Sequence, residues 1–239
     1  MSKGELMKKL LGAGVALCAL IVASIAWAGP VVKDCTLQTK AQCNGTDGSD
    51  NFDGEDVDDG DQGRKDIIEG LEGPDGGNGN GGADKMFGGP GIDGEIEDFQ
   101  GDEGHDLVSG GPGDDDELEG NDGDDHVMGG GGDDFEVIGE EGSDVVEGGS
   151  GNDGDFPGGF NLQGGDGPDT MRGGDGKDSI GATATNDEKD FVFGGDGGDE
   201  ITAGDGFKDV IDCGDGNDTV VFDQGLDKLK DCEDKNPVL

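Results

Sequence analysis

Beyond residue 28, apolar residues are sparse along this chain and fall at fixed places. In GGDGPDTMRGGDGKDSI (Gly164–Ile180), a glycine-rich run of six residues ends in Asp169, and Met171 follows two places later. Nine residues on, the pattern repeats with Asp178 and Ile180. The same tight unit opens at Gly45, Gly79, Gly101, Gly120, Gly139, Gly194 and Cys213. Looser units of ten residues open at Gly88, Gly110, Gly129 and Gly148, and there the apolar residue falls three places after the Asp. Neighbouring side chains of a strand point to opposite sides, so one apolar residue between two polar ones predicts a very short strand with a single inward side chain. The six residues before it predict a tight turn, because glycine reaches positive φ without steric cost.

Tight and loose units alternate with a period of 19 residues, seen in Gly60–Asn78, Gly79–Glu97, Gly101–Glu119, Gly120–Ile138, Gly139–Pro157, Gly194–Asp212 and Cys213–Asp231. A repeat of this length predicts one structural coil made of two turn–strand halves, stacked on its neighbours at about 4.8 Å. Asp169 and Asp178 then mark the two corners of one coil, and Met171 and Ile180 are its inner fill. The expected fold class is all-β, a parallel β-roll (a right-handed β-helix or solenoid) of stacked 18–19-residue coils. Asp98–Gln100, Gly158–Gln163 and Ala182–Lys189 interrupt the period and are expected to be loops extruded from one corner. The expected organisation is a signal peptide over 1–28, an N-terminal cap over 29–44, the β-roll over 45–222 and a C-terminal cap over 223–239.

The unit resembles the GGxGxDxUx nonapeptide of the RTX, or haemolysin-type, calcium-binding repeat, and the resemblance covers residues 44–222. It implies that the chain binds several calcium ions and that the turn carbonyls complete each shell. The residues give their own reason for a cation. Stacking places Asp on Asp along each edge, and such like charges at close range oppose ionisation. Ca²⁺ takes 6–8 oxygens at about 2.3–2.6 Å and mixes carboxylates with backbone carbonyls. Mg²⁺ holds its waters and demands octahedral geometry, and zinc favours His and Cys. The expected ligands are Asps with an apolar residue two places on: Asp50, Asp66, Asp84, Asp106, Asp125, Asp144, Asp169, Asp178, Asp190, Asp199, Asp209 and Asp218. Asp75, Asp93, Asp115, Asp134 and Asp153 lie in less regular units and form a weaker set.

Composition sharpens this picture. Glycine makes up 55 of 239 residues, hydrophobic residues are 29%, and the formal charge is −44. That charge excludes nucleic acid, whose binders need a basic face. Two small side chains per coil make a core too thin to offset backbone ordering, so folding is expected to be coupled to metal binding. Without calcium, such a charged and weakly hydrophobic chain belongs with disordered proteins.

Residues 1–28 differ in kind. MSKGELMKK is basic, LLGAGVALCALIVASIAW is apolar, and Ala26-Trp27-Ala28 precedes Gly29, which is the pattern of a secretory signal peptide. Removing them takes away Lys3, Lys8, Lys9, Glu5 and Trp27, and leaves 12 basic and 58 acidic residues. The mature chain is therefore expected to be secreted and monomeric, with calcium as its ligand and a cell-surface or matrix partner left open. The family's type I secreted members usually carry a C-terminal export signal and no N-terminal one, and this chain departs from that pattern. Four cysteines remain, and sequence allows three pairings. Cys213 stands where a unit's first glycine belongs and Cys232 lies 19 residues later, so one coil of stacking brings them within disulfide range. Cys35–Cys43 follows for the N-terminal cap by elimination.

Other functions fit poorly. There is no H-E-x-x-H or G-x-S-x-G, so the chain is not expected to be an enzyme. His105 and His126 fall at variable repeat positions. Ice binding would need a Thr or Asn ladder where this chain has mostly acids, and no EF-hand loop occurs. The expected function is a secreted calcium-binding structural or interaction module. The alternative is a non-catalytic remnant or accessory chain of a secreted RTX-type toxin or hydrolase.

Overall fold

The fold is known from a computed structural model, which describes residues 31–34, 43–44, 50–53, 67–70, 73–91, 93, 99–154, 162–182 and 188–238. Residues 1–28, Asp66 and Cys35 lie outside them. Among the described residues there is no helix, and the strands form two parallel sheets, one of twelve strands and one of ten. The chain alternates between the sheets, so each strand pairs with the strand one coil away. In the first sheet Glu117–Gly123 pairs with Phe99–Gly104 on one side and Glu136–Glu141 on the other. In the second, His126–Gly131 lies between Leu107–Pro112 and Val145–Ser150. This is the parallel solenoid expected from the period.

The core is two residues wide. Val108, Val127, Val146, Met171 and Val192 stack inward from the second sheet, and Leu118, Val137, Leu162, Ile180 and Ile201 from the first; all are fully buried. Val127 pairs with Val146, and Leu118 with Val137, so like positions superpose coil on coil. β-Branched residues suit these strands because their restricted χ1 packs well on a pleated surface.

The interruptions correct the expected register. Phe99 and Leu162 are fully buried and pair in register with Leu118 and Val137. Phe99–Gln100 and Leu162–Gln163 are therefore strand residues, not extruded loop. The apolar residues three places after Asp93 and Asp153, Ile96 and Phe156, lie outside the described residues. Ala182 is also buried, at 1% exposure. Nor do the interruptions share one corner. The first two follow Asp93 and Asp153 on the way into the first sheet. The third lies between the first-sheet strand Ser179–Gly181 and Asp190.

The outer faces differ. The first sheet turns out Glu117, Glu119, Glu136 and Glu200, with Glu117 directly beside Glu136. The second turns out Leu107, His126, Val145, Thr170, Phe191 and Val210 in one column, with Arg172 and Phe193 in the next. Phe191 and Phe193 are 41% and 36% exposed. Lys189 lies over the Phe191 ring at 3.1 Å and Arg172 over Phe193 at 5.5 Å, which shields part of each ring.

Candidate metal centre

Every turn ends in an aspartate, and the turns stack, so the chain builds two aspartate ladders along its edges. One holds Asp84, Asp106, Asp125, Asp144, Asp169, Asp190 and Asp209. The Asp106 amide donates to Asp125 Oδ1 at 2.7 Å, Asp125 to Asp144 at 2.8 Å and Asp144 to Asp169 at 2.8 Å. The other ladder begins with the loose units and continues with the tight ones. Asp115 donates to Asp134 Oδ1, Asp134 to Asp153 and Asp153 to Asp178, each at 2.9 Å. Asp75 and Asp93 precede them, and Asp199 and Asp218 follow. Loose and tight units thus hold their carboxylates in one manner. The extra residue after Asp115 and Asp134 changes the path into the strand, not the corner.

All fifteen of these aspartates are buried, none more than 4% exposed. Beyond Asp75 and Asp84, which head the two ladders, one oxygen of each carboxylate is committed to the preceding coil. The second oxygen of Asp93, Asp106, Asp115, Asp125, Asp134, Asp144, Asp153, Asp169, Asp178, Asp199, Asp209 and Asp218 is buried and meets no hydrogen-bond donor. What it meets instead is another acceptor. A Cβ built on Gly139 would lie 2.5 Å from both Asp144 Oδ2 and the Gly164 carbonyl of the next coil. On Gly173 it would lie 2.4 Å from Asp178 Oδ2 and 2.5 Å from the Gly194 carbonyl. At both of these corners a carboxylate oxygen without a donor and a carbonyl oxygen line the same space. Buried acceptors without partners are costly. A cation that draws on both carboxylate and carbonyl oxygens removes that cost, and only glycine leaves the space beside them open.

Electrostatics agree. Burial, most of all, pushes the Asp93 and Asp134 carboxyls up to about 8, with carboxylates on adjacent coils adding to it and a donated backbone N–H opposing it. Asp106, Asp144, Asp178 and Asp190 are raised to about 7 for the same causes. These are carboxylates that resist ionising until positive charge arrives. Among the described residues no three His, Cys, Asp or Glu side chains converge on one point. A metal here would thus take much of its shell from backbone oxygen, which suits calcium and argues against zinc.

Two further acids extend the ladders beyond the expected set. Asp209 donates to Asp227 Oδ1 at 2.9 Å, and Asp218 to Glu233 Oε2 at 3.2 Å. Leu229 stands two places after Asp227, so the spacing rule already pointed to Asp227; nothing comparable marks Glu233. Asp50 pairs in register with Asp75, one coil before it, and its side chain is not described. His105 accepts the Asp124 amide at 2.9 Å and His126 lies 3.5 Å from Glu147, both in surface contacts. Cys213 and Cys232 form a disulfide with Cα atoms 5.1 Å apart. Cys43 pairs by backbone with Ile68; a Cys35–Cys43 bond lies outside the described residues.

The family model of the RTX calcium-binding nonapeptide repeat (4 copies) matches residues 63–95, 93–116, 100–136, 119–154 and 161–188, together half of the chain. No curated protein matches it. The matched stretches carry the two ladders from Asp75 and Asp84 to Asp178, and on that ground the chain belongs to the RTX calcium-binding nonapeptide repeat family.

Proposed function

We propose that the protein is a secreted calcium-binding module that folds when calcium arrives outside the cell and serves there as a structural or interaction element. The observation that carries this reading is the set of buried Oδ2 atoms facing next-coil carbonyls with no donor between them. The ladder aspartates would supply the carboxylates, and the glycine carbonyls the remaining oxygens. Bound calcium supplies the positive charge that lets stacked carboxylates ionise together. The apolar, basic N-terminal segment supports export before folding, since the calcium-poor cytosol would leave the coils unformed.

The test is far-UV circular dichroism of Gly29–Leu239, titrated with Ca²⁺ and separately with Mg²⁺. A cooperative gain of β-structure with Ca²⁺ alone is the expected result. A spectrum indifferent to Ca²⁺, or one that answers Mg²⁺ equally, would refute the reading.

The ladders also make the two classes of unit equivalent. Asp134→Asn, in a loose unit, and Asp144→Asn, in a tight one, are each expected to raise the calcium midpoint by about tenfold, the equivalent of ~1.4 kcal/mol. Calorimetric titration of both variants decides this. A silent Asp134→Asn beside a damaging Asp144→Asn would restrict binding to the tight units.

A further inference from the structure

The first residue of the turns at Gly139, Gly148, Gly164, Gly173 and Gly194 is glycine, and a Cβ there would strike the turn's own Asp Oδ2. Near the C-terminus this position is Cys213, which has a Cβ. Its carbonyl still does what the glycine carbonyls do. A Cβ built on Gly194 would lie 2.1 Å from the Cys213 oxygen and 2.5 Å from Asp199 Oδ2. That is the arrangement of the Asp178 corner, with Cys213 in the place of Gly194. The Cys213 side chain continues to Cys232, 19 residues on, through the disulfide. Cys213 is fully buried and Cys232 is 7% exposed. Beside Cys232, Glu233 accepts the amide of Asp218, the acid of Cys213's own turn. One residue therefore belongs both to a covalent staple and to the oxygen lining of an ion corner.

We propose that the Cys213–Cys232 bond and calcium at the Asp199 corner control one another, so that the redox state of this pair sets the calcium affinity of the C-terminal coils. The inference rests on the calcium reading above. The bond fixes the Cys213 backbone, and with it one carbonyl of the corner. Calcium, by stacking the coils, holds the two cysteines within bonding range. In an unfolded chain the same bond must close a 19-residue loop against chain entropy. The folded coil has already met that cost, so each event favours the other by one shared factor.

The redox step is thiol–disulfide exchange with glutathione. One glutathione thiolate attacks a cystine sulfur, breaks the S–S bond and forms a mixed disulfide. A second displaces it, releasing oxidised glutathione and leaving two protein thiols, for a transfer of two electrons and two protons.

The experiment equilibrates the full chain in glutathione buffers of stepped ratio, with Ca²⁺, with Mg²⁺ or with a chelator. Samples are quenched by alkylation, and peptides bearing Cys213 and Cys232 are read by mass spectrometry, apart from the other cysteines. Calcium is expected to shift the equilibrium toward the disulfide by roughly 5- to 150-fold, and magnesium to leave it unchanged. An equal equilibrium with calcium and with chelator, in a chain whose dichroism shows calcium-driven folding, overturns the coupling and leaves the calcium reading intact. A chain that does not fold with calcium overturns both. Reciprocally, in C213S/C232S the calcium midpoint for hydrogen-exchange protection of Val210–Gly216 should rise by the same factor. An unchanged midpoint overturns the proposal. If that variant folds at no calcium concentration, the glutathione equilibrium of the unaltered chain decides.

Discussion

Gly142→Ala is expected to abolish calcium-driven folding of the central coils. A Cβ on Gly142 would lie 1.4 Å from the Gly123 carbonyl oxygen and 2.5 Å from its carbonyl carbon. Both obstacles are backbone, so no rotamer change relieves the clash. Relief requires the two coils to separate, and that breaks the amide-to-carboxylate bonds from Asp125 to Asp144 and from Asp134 to Asp153. The loss should exceed about 4 kcal/mol, the range reserved for strain and broken buried networks. Gly131→Ala is the control. It lies at the third turn position, where a Cβ would meet only the Ser150 hydroxyl at 3.2 Å. Its effect should stay within about 1 kcal/mol, because loss of freedom in the unfolded chain offsets the slight crowding. Calcium titration by circular dichroism, with hydrogen exchange at Val127 and Val146, compares the two. Equal behaviour would mean that close backbone approach does not hold the stack together.

Acid should fold the metal-free protein. The carboxyls of Asp93, Asp106, Asp115 and Asp134 stand at about 6 to 8 in the coil, against an ordinary value of 3.8, and burial is the largest cause in each. A group whose value is raised on folding contributes stability that is fully present below its unfolded value. That stability is lost as pH rises through the folded value. Here it is present below about pH 4 and disappears between about pH 6 and pH 8. The repulsion behind a charge of −44 weakens in the same direction. Calcium reverses the dependence, since it binds ionised carboxylates and displaces their protons. Chelator-treated protein should therefore gain β-structure between pH 8 and pH 4, whereas calcium-loaded protein should be most ordered near pH 8. Circular dichroism across that range checks both limbs. A metal-free chain better ordered at pH 8 than at pH 4 would show that the ladders are not the source of its instability.

Much of this was readable in the residues because each coil is a local event. A glycine-rich turn, an Asp and an apolar residue two places on fix a corner, a strand and one core side chain without reference to distant sequence. Met171 and Ile180 stack inward and Asp169 and Asp178 mark opposite corners for that reason. Cys213 and Cys232 meet because 19 residues make one coil. What escaped depends on the neighbouring coil instead. Phe99 and Leu162 fill the core because Leu118 and Val137 set the register, although their distance from the preceding Asp breaks the rule. A fixed offset also understated Asp115, Asp134 and Asp153, whose equivalence lies in hydrogen bonds across coils. The second oxygens of Asp144 and Asp178 left no mark in the pattern either, since their lack of a donor is a property of the stack.

The difference between the face that carries Glu117 and Glu136 and the one that carries Phe191, Phe193 and Arg172 bears on how such a gene can grow. Duplicating nineteen codons lengthens the rod and returns every later strand to its own side. Duplicating nine or ten exchanges the sides, and moves Phe191 and Arg172 onto the flank that carries Glu117 and Glu136. A whole coil thus preserves the surface pattern on duplication, even though half a coil would satisfy the core.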